Sequence, residues 1–198
     1  MNDTSNVINT HNGHGFVDLG LPSETLWATC NVGATSPEQA GLYFALGETT
    51  GFTAEQVKSG VRKFNSASYT ASAISTDLKP EQDAVHVNLG GNWRIPTKAE
   101  FQELIDNCNV TWTNDYNGTG IKGRIFTSKV NGKSVFFPAA GSCDNSSVIK
   151  VGFEGYCWSA SWDSDSPSAA WDLYFNSRYK SLNNRRRICG RSVRGVFK

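Results

Sequence analysis

The stretch RYKSLNNRRRICGRSVRG, residues 178–195, gathers many of the chain's side chains best suited to recognition chemistry. Arg185 and Arg186 are planar forks that suit a carboxylate or phosphate and also stack on rings. Tyr179, with Tyr174 just upstream, offers flat amphipathic area at low rotamer cost, while Ser181, Asn183 and Asn184 supply adaptable donors and acceptors. This is the chemistry of non-covalent binding, and it needs no cofactor. The stretch shows neither helical nor strand periodicity and is expected to be an irregular surface segment.

An Arg triplet beside tyrosines also suits a nucleic-acid backbone or another polyanion, so this is the alternative reading. Charge distribution argues against it. Eight of the 19 Lys and Arg residues follow Asp172 with no acidic residue among them, and the preceding residues hold 11 basic and 18 acidic groups, a net charge of −7. No RNA-module motif accompanies the basic end, so a nucleic-acid partner is not expected.

Other chemistries find less support. The five cysteines (Cys30, Cys108, Cys143, Cys157 and Cys189) are odd in number and lack CxxC or zinc-type spacing, which points to free thiols and to no metal site. His86 and Asp83, in DAVHVN, read as a satisfied core histidine or a turn cap rather than a base and its orienter. His11 and His14 belong to a polar stretch, residues 1–14, expected to be a flexible tail and a poor metal ligand. No apolar run approaches the ~20 residues that span a bilayer. The first residues also lack the charged and apolar regions of a signal peptide.

The elements that must hold this segment can be read in outline. Gly 19, Met 1 and only 19% charged residues point to an α+β protein dominated by strands and loops, and 38% hydrophobic content suffices for a sizeable core. Phe16 to Leu19 and Leu26 to Val32 read as an amino-terminal hairpin, and Pro37 opens a turn of helix. Residues 49–82 read as a long surface excursion. NWRIPTKAEFQELIDNC gives the clearest helix, Lys98 to Asn107, because Thr97 and Glu100 form a capping box and Phe101, Leu104 and Ile105 one apolar stripe. Asn131-Gly132 marks a tight hairpin with positive φ at both positions. GYCWSAS and AAWDLYFNS supply two strands with Trp158 and Trp171 buried. SVRGV supplies a terminal strand that can pair with the amino-terminal one.

Five blocks, VDLGLPSETLWATCNVGATSPEQAGLYFALGE, GGNWRIPTKAEFQELIDNC, FFPAAG, YCWSAS and AWDLYFNS followed by SVRGV, occur in order over residues 15–196. Together they resemble the major-paralogous-domain family of Bacteroidetes, and within it the C-type-lectin-fold variable proteins of diversity-generating retroelements. The resemblance implies a C-type lectin-like fold, related to the formylglycine-generating enzymes: a loop-rich twisted antiparallel sheet with one or two helices in a single domain, residues 15–198. It also implies a variable cassette, about residues 155–196, rewritten at adenines by a mutagenic reverse transcriptase.

Asn codons of the form AAY, changed at either adenine, yield any residue whose codon ends in a pyrimidine, which excludes Lys, Gln, Glu, Met and Trp. The family's Asn positions fall on Tyr179, Ser181, Asn183, Asn184, Arg185, Arg186, Ile188 and Cys189, and each is reachable. Asp163, Asp172, Tyr174, Cys157 and Ser168 belong to the same codon class. Arg187 and Gly190 match fixed positions of the pattern and Leu182 an apolar one, whereas Arg178, Lys180 and Gly195 depart from it. Trp162, in the adjoining loop and not an Asn-codon product, is expected to anchor the edge of the site.

The implied role is recognition of a protein or glycan on a cell surface, from a phage particle or a bacterial surface, without catalysis. Calcium-dependent sugar binding would need Glu-Pro-Asn or Gln-Pro-Asp followed by Trp-Asn-Asp, and WTND at residues 112–115 carries an extra Thr. A catalytic thiol is not expected either, because Cys157 and Cys189 occupy presumed variable positions.

Overall fold

The computed structural model describes residues 9–71 and 75–198. The strands run β1 (Asn9–His11), β2 (His14–Asp18), β3 (Leu26–Asn31), β4 (Cys108–Thr113), β5 (Gly123–Ser128), β6 (Ser134–Pro138), β7 (Ser142–Asp144), β8 (Ser147–Ile149), β9 (Glu154–Trp162), β10 (Ala169–Asn176), β11 (Lys180–Arg186) and β12 (Arg194–Phe197). The helices are α1 (Ala54–Lys58), α2 (Ala84–Leu89) and α3 (Lys98–Asn107), among the described residues one more than the sequence led us to expect. With 40% strand, mostly antiparallel, this is an α+β fold whose sheets carry the architecture.

One sheet has the order β1-β2-β3-β12, so a strand from the carboxy end closes against the amino-terminal hairpin. The expected pairing of the two end strands is therefore present. Arg194 fastens it. Its fully buried guanidinium donates to Asn31 Oδ1 at 2.9 Å, to the carbonyls of Ala28 (3.0 Å) and Thr29 (2.6 Å) on β3, and to that of Phe136 on β6 at 2.9 Å. The cation also lies 4.5 Å from the Phe137 ring.

The amino-terminal segment differs from its expectation. Residues 9–14 are not a tail, because the His11 ring stacks on Phe197 at 4.1 Å and its carbonyl accepts the Trp93 indole N–H at 3.0 Å. Residues 1–8, the rest of the expected tail, lie outside the described residues.

The second sheet, β9-β10-β11, has core on both faces of β9 and β10. Trp158, Ala160 and Ala170 pack with Val85, Trp93 and Val193, whereas Cys157, Leu173 and Phe175 pack with Trp27, Phe101 and Phe137. Burial on both faces explains why GYCWSAS and AAWDLYFNS read as nearly continuous apolar strands. Trp171 is only half-buried, its ring covered by the Lys98 ammonium at 3.1 Å.

Helix α3 forms where its cap predicts. Thr97 Oγ1 accepts the Glu100 N–H at 3.2 Å and Glu100 Oε2 accepts the Thr97 N–H at 2.9 Å. Glu100 also receives a fork from Arg94, at 2.7 and 2.5 Å, and the Thr25 hydroxyl at 3.1 Å. Burial pushes its pKa up, but these donors outweigh it and hold the carboxyl at about 2, against an ordinary 4.5. A carboxyl held below its unfolded value stabilises the fold above pH 4.5 and loses that contribution as pH falls toward 2. Glu100→Gln should therefore flatten the acid limb of a stability–pH profile by about 2 kcal/mol, allowing for solvent screening of Arg94, as measured by urea unfolding.

Three further expectations change. Pro37 opens a hydrogen-bonded turn, with Gln39 N donating to Ser36 O, rather than a helical one. Residues 49–82 are more than a surface excursion, since Val57 and Phe64 are fully buried with Tyr43, Ala45 and Cys143 in a third apolar cluster. In the β5–β6 connection Gly132 takes positive φ and Asn131 does not. The loop spans residues 129–133, and the Asn131 amide reaches across to Asp18 O at 3.0 Å.

Candidate recognition face

Residues 180–186, expected to be irregular, form the edge strand β11 of the second sheet. Its pairing sets Ser181 opposite Tyr174, Leu182 opposite Leu173, Asn183 opposite Asp172 and Arg185 opposite Ala170. Side chains alternate across a strand, so these partners sort the segment into two faces. Leu182 packs into the cluster of Leu173 and Phe175. On the other face Ser181, Asn183 and Arg185 surround Tyr174, with Arg185 5.9 Å from its ring and Ser181 Oγ 3.3 Å from Asn183 Oδ1.

Strand β9 extends this face with Tyr156, a residue the sequence reading did not single out. Its ring lies 5.2 Å from that of Tyr174 at 50°. The Asn176 amide donates to the Tyr174 hydroxyl at 2.7 Å, and the Tyr156 hydroxyl donates to Glu154. The two phenols are thus fixed in place before any ligand arrives. A period-two reading of EGYCWSASW, placing Tyr156 on the face opposite Cys157, would have found it.

The hairpin joining β10 and β11 is also held by backbone contacts. Asn176 Oδ1 accepts the N–H groups of Arg178 and Tyr179, both at 2.8 Å, and Asn176 N donates to Tyr179 O at 2.9 Å. Arg124 reinforces the turn by donating to Asn176 O at 3.0 Å. The side chain of Tyr179 itself stands free, 64% exposed.

Beyond β11 the chain threads between two other segments. Leu46 N donates to Arg187 O, Phe44 and Arg191 exchange a pair of bonds at 2.9 and 3.0 Å, and Cys143 and Gly190 exchange another at 2.7 and 2.9 Å. Gly190 is required here, because a Cβ would lie 2.7 Å from the Phe64 ring and 2.8 Å from Cys143 Cβ. Ile188 and Cys189 are half-buried, Cys189 packing against the first cluster, and the Arg187 guanidinium lies 5.8 Å from the Tyr69 ring.

Not every candidate reaches solvent. Asp172 is 0% exposed and forms an ion pair with Arg191, whose guanidinium lies between the Tyr156 ring at 4.5 Å and the Trp158 ring at 4.6 Å. It fastens the returning segment to the sheet, so its codon class misled. Asp163 is also buried: one oxygen caps the Asp165 N–H at 3.1 Å and the other accepts the Asn184 amide. Trp162 is half-buried against the first cluster, its backbone N–H donating to Asp77 Oδ1 at 2.9 Å. Arg186 and Asn184 are exposed on the edge strand, and Arg178 and Lys180, the departures from the family pattern, are exposed beside Tyr179.

Burial drives the thiols away from ionisation. Cys157 and Cys143 are pushed up to about 12 and Cys108 to about 11, and Cys189 is also raised. Asp83 acts as the cap of α2, accepting the N–H groups of Val85 at 2.8 Å and His86 at 3.0 Å. Among the described residues no three His, Cys, Asp or Glu side chains are grouped to hold a metal, and no helix is long and apolar enough to cross a membrane. No family profile, no curated protein and no solved structure matches this chain.

Proposed function

We propose that the chain is a recognition protein of the C-type lectin-like fold, a variable protein of a diversity-generating retroelement, that binds a protein or glycan on a cell surface. The observation that carries this reading is the division of labour along β11 and its hairpin. Backbone hydrogen bonds and Leu182 fix the segment, and Tyr179, Ser181, Asn183, Arg185 and Arg186 project from it. Side chains placed so can be exchanged without disturbing the core, which is what a rewritten cassette demands.

The chemistry of the face supports the same reading. Two oriented phenols, Arg185 and two small amides or hydroxyls resemble a paratope in composition, with rigid aromatic area and adaptable polar groups. Thiols held near 12 favour a binding role over thiol catalysis, because the thiolate is the reactive form. The exposed run of Lys180, Arg185 and Arg186 along an unpaired strand edge favours polyanion binding as the second reading. Under that reading affinity for any nucleic acid falls steeply with salt and ignores sequence.

The DNA beside the gene supplies the test. A near-copy of the codons for residues 155–196, differing only where the copy has adenine and lying beside a reverse transcriptase, is the expected result. Differences spread over all four bases would remove the diversification claim.

A further inference from the structure

Two rigid turns outside the strand face display apolar side chains toward one groove of about 620 Å³. One turn, residues 150–153, carries Val151, 54% exposed, and Phe153, 68% exposed. The other is the β10–β11 hairpin with Arg178 and Tyr179.

Neither turn is loose. Lys150 adopts φ +64°, a conformation unfavourable for a residue with a Cβ, and Gly152 N donates to Ala139 O at 2.8 Å. Gly141 lies so close below that an added Cβ would meet Ile149 O at 2.1 Å. Phe153 and Glu154 both donate their N–H groups to Lys150 O at 3.0 Å. A turn anchored this firmly could have turned its apolar side chains inward, yet presents them to water. Contiguous exposed apolar surface on an ordered scaffold marks an interaction site.

The charges around the groove select its occupant. Lys150 and Arg178 line it, the Lys122 ammonium lies 5.6 Å from the Phe153 ring, and Lys180 follows on β11. The one carboxylate of the lining, Glu154, is already engaged by the Tyr156 hydroxyl and lies 3.8 Å from Lys150. We infer that the groove between Phe153 and Tyr179 binds an acidic peptide segment of a partner protein, which buries an aromatic or aliphatic side chain on Phe153 and Val151 and pairs its carboxylates with Lys150 and Arg178. This deepens the recognition reading and rests on it. The turn at residues 150–153 lies outside the cassette and the hairpin inside it, so one wall of the groove is constant and the other is rewritten.

A random dodecapeptide library displayed on phage and panned on the full chain tests this. Enriched peptides are expected to combine Asp or Glu with Phe, Trp or Leu. As synthetic peptides they should lose about tenfold or more in affinity for Phe153→Ala, the loss expected when an interface anchor is truncated. Affinity should also fall with added salt, and a Val151→Ser variant with an unchanged melting temperature guards against misfolding. Peptides without acidic residues, or peptides indifferent to Phe153→Ala, would overturn the inference. If such peptides instead lost affinity on Arg185→Ala or Tyr174→Ala, the recognition face would stand and the groove alone would fall. Co-sedimentation with phosphatidylserine–phosphatidylcholine vesicles, lost in Phe153→Ala, would overturn it in favour of a lipid surface.

Discussion

Asp172→Ala is expected to destabilise the chain by about 3–5 kcal/mol, the cost of leaving a buried charge without its partner. The stranded group is Arg191, almost wholly buried and wedged between Tyr156 and Trp158 with the Asp172 carboxylate as its counter-ion. Asp172→Asn keeps an oxygen acceptor and should cost less. Replacing both members by leucine should recover much of the loss, because the penalty belongs to the unpaired charge and not to the pair. Denaturant unfolding of Asp172→Leu, Arg191→Leu and the double variant decides this. A double variant that loses the sum of the two single losses would show that the residues are not coupled. Under the proposed diversification, a new residue at position 172 is expected to be tolerated only where its side chain still satisfies Arg191.

Arg194 should matter at least as much. Its guanidinium joins β12 to β3 and β6 through four oxygen acceptors. Burial lowers its pKa to about 10, against the raising influence of Cys157, Cys30 and Tyr116, yet at neutral pH it stays charged and supplies charge-assisted bonds. Such bonds are each worth about 1.5–3 kcal/mol, so Arg194→Met, which keeps packing against Phe137, should still lose about 5 kcal/mol or more. For a chain of this length that is a fall of roughly 10–20 °C in melting temperature. Arg194→Lys should recover only part of it, since one ammonium cannot fork to acceptors on two strands. A melting temperature for Arg194→Met within about 2 °C of the parent would show that the closure of the sheet does not depend on this residue.

The strand and helix elements most legible in the sequence were those whose signal is local. The cap of α3 needs only Thr97 and Glu100, and the buried strands β9 and β10 announce themselves by apolar content on both faces. Strand β11 was not legible, because an edge strand with one apolar residue, the partly buried Leu182, among polar neighbours has too little alternation to register. Pairing with Leu173 makes it a strand, and that partner is known only once β10 is in place. Of the candidate site, Tyr179, Arg185 and Arg186 stand exposed where residue type suggested. Asp163 and Asp172 do not, because codon class reports which residues can arise at a position and carries no information on depth. Tyr156 and the turn bearing Phe153 escaped for a related reason: each belongs to the surface only through tertiary contacts.

The central claim is that a fixed body carries an exchangeable face, and a combinatorial library measures it directly. Tyr179, Ser181, Asn183, Arg185 and Arg186 are randomised together with AAY-derived codons in one pool, and Leu182, Asp172 and Arg194 in a second, with folding scored by resistance to proteolysis. The account predicts that most members of the first pool stay within about 1 kcal/mol of the parent, as substitutions outside the core do, while most of the second are cleaved. Equal loss of folding in the two pools would contradict it, since the face would then be part of what holds the protein together.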